Sequence, residues 1–391
     1  MKTIEPKIHV LTAGIISLIL TLGIARFAYT PLLPIMQNQT WLNDAAGGWL
    51  ASINYLGYLT GALISSLVSD LTVKDRLYRA GLIIAVVSTL GMALTDSYVL
   101  WLFLRFIAGL SSAAGLLIGS ALLLNWLIRH GHRSELGIHF SGLGLGIATV
   151  SALVLVMQQH LSWSEQWLIL GFIAVVLLIP SWRWLPKPNT SGVDNASLKD
   201  NPPTASFLNL MQLAYFCAGI GYVVSATFIV AIIDKQPIIQ NQGALTFLFI
   251  GLAAAPACIV WDLIARKTGV LKALFLAYIL QIVSILLPTI SNSIEVSIFG
   301  ALLFGGTFIG IVSLVLTMAG RFYPSKPALL MGRLTLSYGL AQVIAPAISG
   351  QIAQSSGSYN LALYIAAGFM LIGTLIIGLL IRQSQNNGKY L

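Results

Sequence analysis

The sequence is dominated by long apolar runs, each close to the length that an α-helix needs to cross a bilayer. Such a helix needs about 20 predominantly apolar residues. The runs lack the alternating segments, about ten residues long, of a membrane-spanning β-barrel. Only 8% of the 391 residues are charged, against about 25% in soluble domains. These features predict an all-α integral membrane protein.

Twelve runs can be delimited as transmembrane spans. The first is longer than the apolar core of a cleavable signal peptide, about 7–15 residues, so we count it as a span. The predicted spans are 8–36, 43–69, 77–95, 98–128, 134–158, 164–184, 207–233, 242–265, 270–289, 293–321, 327–354 and 358–382. The polar segment 186–206 is predicted to be a cytoplasmic linker between a six-helix bundle at 1–185 and a second at 207–391.

Lysine and arginine residues gather on one side of the predicted membrane. If both termini are cytoplasmic, nearly all of the 21 Lys and Arg lie in cytoplasmic loops or at the cytoplasmic ends of spans, and Lys235 is the exception in the outer loops. This asymmetry follows the positive-inside rule. The net charge of +9 is therefore a signal of topology and does not indicate a nucleic-acid partner.

Two arginines, Arg26 and Arg105, fall within predicted spans, whereas the 12 acidic residues lie at span ends or in loops. A charge at that depth costs about 2.5–3.5 kcal/mol on insertion scales. Arg26 lies about 7 Å outward of the midpoint of its run, and Tyr29 at i+3 shares its face. A cavity and an anionic ligand would offset the cost. Alternatively, Arg26 reaches the outer interface or caps carbonyls left unpaired by Pro31 and Pro34.

The two halves of the chain repeat at an offset of roughly 195 residues. The segment Gly23 to Arg26 aligns with Gly219 to Tyr222, and Asp70 at the end of the second span aligns with Asp262 at the end of the eighth. Duplicated halves that meet around a midplane site are a recurring plan of transporters. Tyr222 stands where a second arginine would complete the symmetry.

Several motifs resemble those of one superfamily. Arg105-Phe-Ile-Ala-Gly109 resembles the Arg-x-x-x-Gly element of the major facilitator superfamily, and the segments 70–76 and 261–269 resemble its Gly-x-x-x-Asp-Arg loop. The first copy of that loop lacks the glycine. Within the superfamily, Gly23 to Pro34 is similar to the Gly-x-x-Arg-Phe-x-Tyr-Thr-Pro-x-x-Pro of a bacterial subfamily usually labelled YbfB/YjiJ. Gly339 to Pro346 is similar to its later glutamine-and-proline element.

The resemblance implies two pseudo-symmetric six-helix bundles, with spans one, four, seven and ten around a central cavity. The polar side chains expected to bind substrate there are Arg26, Tyr29, Arg105, Tyr222, Tyr338 and Gln342. It also implies a conformational latch between the halves at Asp70, Asp262 and Arg266; the alternative is ordinary solvated ion pairs, worth under about 1 kcal/mol.

Other chemistry is weakly supported. His139 in span five could titrate near neutral pH, or it could be a hydrogen-bonded packing residue. The sequence has no P-loop, no His-Glu-x-x-His and no paired-cysteine metal pattern, and we interpret Cys217 and Cys258 as small apolar packing residues. We therefore expect no enzyme activity, no cofactor and no metal site.

The leading hypothesis is a secondary transporter that works by alternating access. Two embedded arginines favour an anionic or carboxylate-bearing organic solute, metal-chelating carboxylates included, because arginine binds carboxylates bidentately. The alternatives are an efflux pump for neutral, sugar-like or amphipathic compounds, and a non-transporting membrane sensor on the same fold. We expect a monomer in the bacterial inner membrane, with both termini cytoplasmic and the bilayer and the small solute as its partners.

Overall fold

In a computed structural model the chain forms twelve long helices, and this confirms the predicted all-α fold. The structure describes residues 6–132, 136–188, 200–323 and 327–387, apart from the side chains of 6, 327–329 and 386–387. In chain order the helices are α1 (Lys7–Gln39), α2 (Asp44–Leu67), α3 (Leu71–Ala93), α4 (Tyr98–Arg129), α5 (Leu136–Met157), α6 (Trp163–Arg183), α7 (Ala205–Asp234), α8 (Gly243–Thr268), α9 (Val270–Ile290), α10 (Ile294–Phe322), α11 (Pro327–Ser356) and α12 (Asn360–Asn387).

Eleven of these helices are long and apolar enough to cross a membrane within the described ranges. The predicted eleventh span, 327–354, does form a helix of 30 residues, α11, but it is not among the eleven. Polar residues such as Arg333, Ser337 and Gln342 interrupt its apolar stretches, and a spanning segment is recognised by an unbroken apolar run.

The predicted linker, 186–206, lies largely outside the described residues. Where the chain is described again, Asn201 N donates to Phe322 O at 3.0 Å, so the segment before α7 is attached to the end of α10. Because successive helices alternate in direction, both ends of the chain lie at one face of the bundle, here called the terminal face. The other face is called the opposite face. The cytoplasmic location of the terminal face stays a prediction, as does the division of the chain into three segments.

Glycines form the closest contacts between the two halves of the chain. A Cβ atom on Gly144 of α5 would overlap Ala255 N of α8, and a Cβ on Gly48 of α2 would lie 2.5 Å from Pro346 O of α11. Backbones in membrane proteins approach this closely where the intervening side chain is missing. The seams between the halves are therefore α5 with α8 and α2 with α11.

Gly57 provides a test of this packing within the first half. A Cβ on Gly57 of α2 would overlap Phe106 O of α4, so we expect Gly57→Ala to lower the stability by about 1–3 kcal/mol, as overpacking does. The measurement is thermal unfolding of the purified protein. Gly368→Ala is the control, because nothing lies within 4 Å of an added Cβ there. Equal unfolding midpoints for the two variants would contradict the contact.

Two helices contain π-helical segments, which the sequence analysis did not predict. In α1 the segment is Ile19–Phe27, where Ala28 N donates to Gly23 O at 2.9 Å, and in α4 it is Ala114–Ile118. A π segment widens the helix and rotates the side chains that follow, and it is frequent at functional sites. Arg26 lies on the first of these segments and is buried.

Candidate functional site

Arg26 lies within a cage of aromatic rings formed by Phe27, Tyr55 and Tyr58. Its Cζ atom is 4.5 Å from the ring centroids of Tyr55 and Tyr58 and 5.5 Å from that of Phe27. Tyr55 and Tyr58 are at i and i+3 on α2, so they present their rings on one face of that helix. A cation over a ring gains about 2 kcal/mol or more where water is excluded. The cage therefore offsets part of the cost of burying Arg26.

The charge of Arg26 is not neutralised by a carboxylate. Asp44, Asp75 and Asp262 each pair with another cation, and Arg26 forms no ion pair with a described residue. Arg26 is only 5% exposed, and its Nε atom is buried without a hydrogen-bond partner. A buried donor on a charged group is costly to leave unpaired, and one N–H of the guanidinium lacks an acceptor in this conformation.

A row of nearly parallel rings lies in the second half of the chain. Centroid distances along this ring row are 4.5 Å from Tyr215 to Tyr338, 5.9 Å from Tyr338 to Tyr222, 5.2 Å from Tyr222 to Phe308 and 5.5 Å from Phe308 to Phe304. The planes of each successive pair are inclined by 23° or 24°. Offset stacking of this kind suits a flat aromatic group as a further member.

Tyr222 connects the ring row to the cage. The Arg26 guanidinium interacts electrostatically with the hydroxyls of Tyr222, Tyr55 and Tyr58, and Tyr55 interacts with both Arg26 and Tyr222. Tyr338 of α11 stacks on Tyr222, with ring centroids 5.9 Å apart. Side chains from α1 and α2 therefore meet side chains from α7 and α11 at the junction of the two halves, where a midplane site is expected in such a duplicated fold.

Arg105 occupies a different environment from Arg26. Its Nη1 atom donates to Ala25 O and Arg26 O, both at 3.3 Å, and its Nε donates to Leu50 O at 3.5 Å. Its Cζ is 4.4 Å from the ring centroid of Tyr29. Arg105 thus binds the backbone of the π segment in α1.

The predicted group of Arg26, Tyr29, Arg105 and Tyr222 is therefore divided into two pairs. Tyr29 donates its hydroxyl to Gly47 O at 2.8 Å and packs under Arg105, whereas Tyr222 faces Arg26. The pairs are adjacent, because Arg105 donates to the carbonyl of Arg26 itself. The first pair supports the helix and the second carries the available charge.

The remaining predicted residues vary in their surroundings. Gln342 lies one turn after Tyr338 on α11, 3% exposed, and its Oε1 has no partner. His139 is 0% exposed, its Nε2 is 2.8 Å from Ser120 Oγ of α4, and its ring packs against Gly14 of α1. His139 is thus enclosed by helices of the first half, and its possible role in proton transfer stays a prediction.

The residues of the predicted latch make local contacts in this conformation. Asp70 accepts from Val73 N at 3.0 Å and Thr72 N at 2.6 Å, and these bonds at the start of α3 lower the pKa of its carboxyl. Asp262 pairs with Arg266 on the same helix at 2.6 Å, and both side chains are exposed. Neither contact joins the two halves, and the latch role of these residues stays a prediction.

One part of the site was not singled out from the sequence. Phe304 and Phe308 of α10 were missed, although their i, i+4 spacing places both on one face of a helix. Tyr55 and Tyr58 were visible as polar residues in an apolar span, but their contact with Arg26 depends on the packing of α2 against α1. The site as a whole combines one unpaired cation, several phenol hydroxyls and stacked rings, and this combination suits a flat organic anion.

The arrangement of helices defines the class of protein. The structure resembles the solved structure of a mutant of the nucleoside transporter NupG, with a TM-score of 0.76 and 11% sequence identity over 95% of this chain and 99% of that one. At this identity the likeness concerns the fold. The protein has the major facilitator fold, with two pseudo-symmetric six-helix bundles.

The chain belongs to the family described as uncharacterised MFS-type transporter YbfB, which it matches over residues 18–378. It is 25% identical to the uncharacterized MFS-type transporter YceJ of Bacillus subtilis, over 95% of this chain and 89% of that protein. It is 22% identical to the 3-(3-hydroxy-phenyl)propionate transporter of Escherichia coli, over 86% of this chain and 85% of that protein. The protein is thus a multi-pass membrane transporter of the major facilitator superfamily.

Proposed function

We propose that this protein is a secondary transporter of small organic carboxylates, with aromatic carboxylates favoured, and that it works by alternating access. The observation that carries this proposal is the Nε donor of Arg26, which is buried and unpaired inside the cage of Phe27, Tyr55 and Tyr58. A carboxylate is the natural partner of such a group, because charge-assisted bonds from guanidinium to carboxylate are short and strong.

The ring row supports an aromatic cargo. A substrate carboxylate bound by Arg26 would place an attached ring near Tyr222, whose own ring lies 5.2 Å from Phe308. An additional stacked pair contributes about 0.5–1.5 kcal/mol beyond its buried area. The transported molecule of the Escherichia coli relative, 3-(3-hydroxy-phenyl)propionate, carries both a carboxylate and an aromatic ring.

The residues of this site are all buried in the present conformation; Arg26, Tyr222 and Phe308 are each no more than 5% exposed. Access to the site therefore requires the two halves to separate at one face. Rigid-body rocking of one half against the other around a fixed site supplies this movement in duplicated transporters.

The alternative of a neutral or amphipathic cargo uses the same rings but does not need Arg26. A neutral molecule would leave the guanidinium without a countercharge, so it would not offset the cost of burying Arg26. The sensor alternative requires binding without flux. The neutral-cargo alternative differs from our proposal in the charge of the ligand. The sensor alternative differs from it in the absence of transport.

Uptake into proteoliposomes tests the proposal. Benzamide differs from benzoate in charge, and cyclohexanecarboxylate differs from benzoate in aromaticity. All three molecules are of nearly the same size. We expect uptake of benzoate, no uptake of benzamide, and weaker uptake of cyclohexanecarboxylate, because it keeps the anion and loses the stacked ring. Uptake of benzamide equal to that of benzoate would contradict the proposal, and binding of benzoate without flux would favour the sensor.

A further inference from the structure

A cavity lies between the halves at the opposite face, with a volume of about 820 Å³. Carboxamide side chains make up much of its lining, and its charged lining residues are Asp44, Asp234 and Lys235. Lys235 is therefore the cation of this cavity. It is also the basic residue that the sequence analysis found as the exception in the outer loops, and the central site makes no use of it.

Lys235 holds the two halves together through Asp44. Its Nζ lies 2.5 Å from Asp44 Oδ2, and its charge lies 4.9 Å from the ring centroid of Tyr359. Asp44 begins α2 in the first half, whereas Lys235 follows α7 and Tyr359 precedes α12 in the second. The Asp44 side chain is 12% exposed and that of Lys235 41%, so the pair borders the cavity but is partly shielded from water.

Asp44 has other donors that would remain if Lys235 left it. Its Oδ1 accepts from Tyr359 OH at 2.8 Å and from Gln37 Nε2 at 2.9 Å. Among the described residues, Lys235 pairs with no carboxylate besides Asp44. When the pair separates, Asp44 therefore keeps hydrogen-bond donors, and an incoming carboxylate would give Lys235 a new partner.

Direct contacts close the bundle beneath the pair. Thr30 Oγ1 of α1 donates to Ala226 O of α7 at 2.9 Å, and Ala347 N of α11 donates to Ser52 Oγ of α2 at 3.0 Å. The partners Thr30 and Ala226 are 196 residues apart, close to the repeat offset, so equivalent positions of the two halves meet there. Any opening from this face must first part Asp44 from Lys235.

We propose that Lys235 is a second carboxylate site, where a substrate anion that enters the opposite-face cavity replaces Asp44 and so removes the ion pair that joins the two halves there. This inference rests on the proposed function. After the exchange Lys235 again has one carboxylate partner, and Asp44 keeps its bonds from Tyr359 and Gln37. The substrate thereby promotes opening by binding the open state better than the closed one.

The test measures the distance across the cavity by electron spin resonance. Spin labels are attached at Asn38→Cys and Gln240→Cys, which border the cavity from opposite halves, in a background where Cys217 and Cys258 are replaced by serine. The recorded quantity is the fraction of molecules at the longer distance. Benzoate is the probe, and benzamide is its neutral control.

We expect benzoate, but not benzamide, to raise the ratio of open to closed molecules by at least about fivefold, the lower end of typical coupling between sites. Lys235→Gln should abolish the response, and Lys235→Arg should keep it. Arg26→Gln should also keep it, because the central site is not needed for the exchange. Asp44→Asn should raise the open fraction without benzoate, whereas Asp262→Asn, which breaks an ion pair within one helix, should not.

Three outcomes would overturn the inference: a benzoate response that persists in Lys235→Gln, a response lost in Arg26→Gln, or an open fraction that is unchanged in Asp44→Asn without benzoate. The first two leave the proposed function intact as long as benzoate binding still depends on Arg26. If benzoate does not bind the wild-type protein at all, the proposed function fails and the inference fails with it.

Discussion

Replacement of Arg26 by glutamine is expected to abolish carboxylate transport while the protein stays folded. Glutamine keeps the polar character and much of the length of the side chain but removes the charge. A hydrogen bond to a charged group contributes about 1.5–3 kcal/mol, so the affinity for benzoate should fall about 10- to 100-fold. Because Arg26 is buried with an unpaired Nε and no carboxylate partner, its loss should not lower the unfolding temperature.

Arg26→Lys is the matched control. Lysine keeps the charge over Tyr55 and Tyr58 but presents a point charge in place of the planar fork, so intermediate affinity is expected. The measurements are benzoate uptake in proteoliposomes and thermal unfolding of the same preparations. Full uptake by Arg26→Gln would show that the cargo is not held by this charge.

The second large effect is expected for Arg105, whose replacement should lower the stability of the protein. Arg105→Gln should destabilise the protein by about 3 kcal/mol or more, because bonds from a charged donor contribute about 1.5–3 kcal/mol each. Three backbone carbonyls, those of Ala25, Arg26 and Leu50, would lose a donor. Two of them belong to the π segment that positions Arg26.

Thermal unfolding measures this loss, and Arg105→Lys should recover only part of it, since lysine cannot reach all three carbonyls with a rigid fork. The comparison with Arg26→Gln is the informative one, because both variants remove one buried positive charge. If Arg105→Gln were as stable as wild type but failed to bind benzoate, Arg105 would belong to the binding site and the division into two pairs would be wrong.

The fold could be predicted from the sequence because the features that determine it are visible in each segment of the chain separately. Apolar runs of spanning length and the basic residues between them do not depend on tertiary contacts. The exception is α11, where Arg333, Ser337 and Gln342 break the apolar run. The sequence analysis predicted a span at 327–354, and the structure has the helix Pro327–Ser356 there.

The site could be predicted only in part. The depth of Arg26 and its lack of an acidic neighbour are visible in the sequence, and they drew attention to it; its role in binding stays a prediction. The separation of Arg26 from Arg105 could not be predicted, because the π segment in α1 alters the register of the side chains. A prediction that assumes 3.6 residues per turn places Tyr29 with Arg26, whereas Tyr29 packs under Arg105.

The contact between Asp44 and Lys235 was not predicted either. A carboxylate at the start of a span and a lysine in a loop are each common at a membrane surface, and they are 191 residues apart in the chain. The sequence motifs directed attention to Asp70 and Asp262 at the terminal face. In this conformation the ion pair that joins the halves lies at the opposite face.

The central claim is that the guanidinium of Arg26 binds the carboxylate of the substrate. Four affinities, those of two proteins for two ligands, test it most directly. Calorimetric titration of the wild-type protein and Arg26→Gln with benzoate and with benzamide gives these affinities. We predict that the substitution weakens benzoate binding about 10- to 100-fold and leaves benzamide binding nearly unchanged. Equal losses for both ligands, or no loss for benzoate, would contradict the claim.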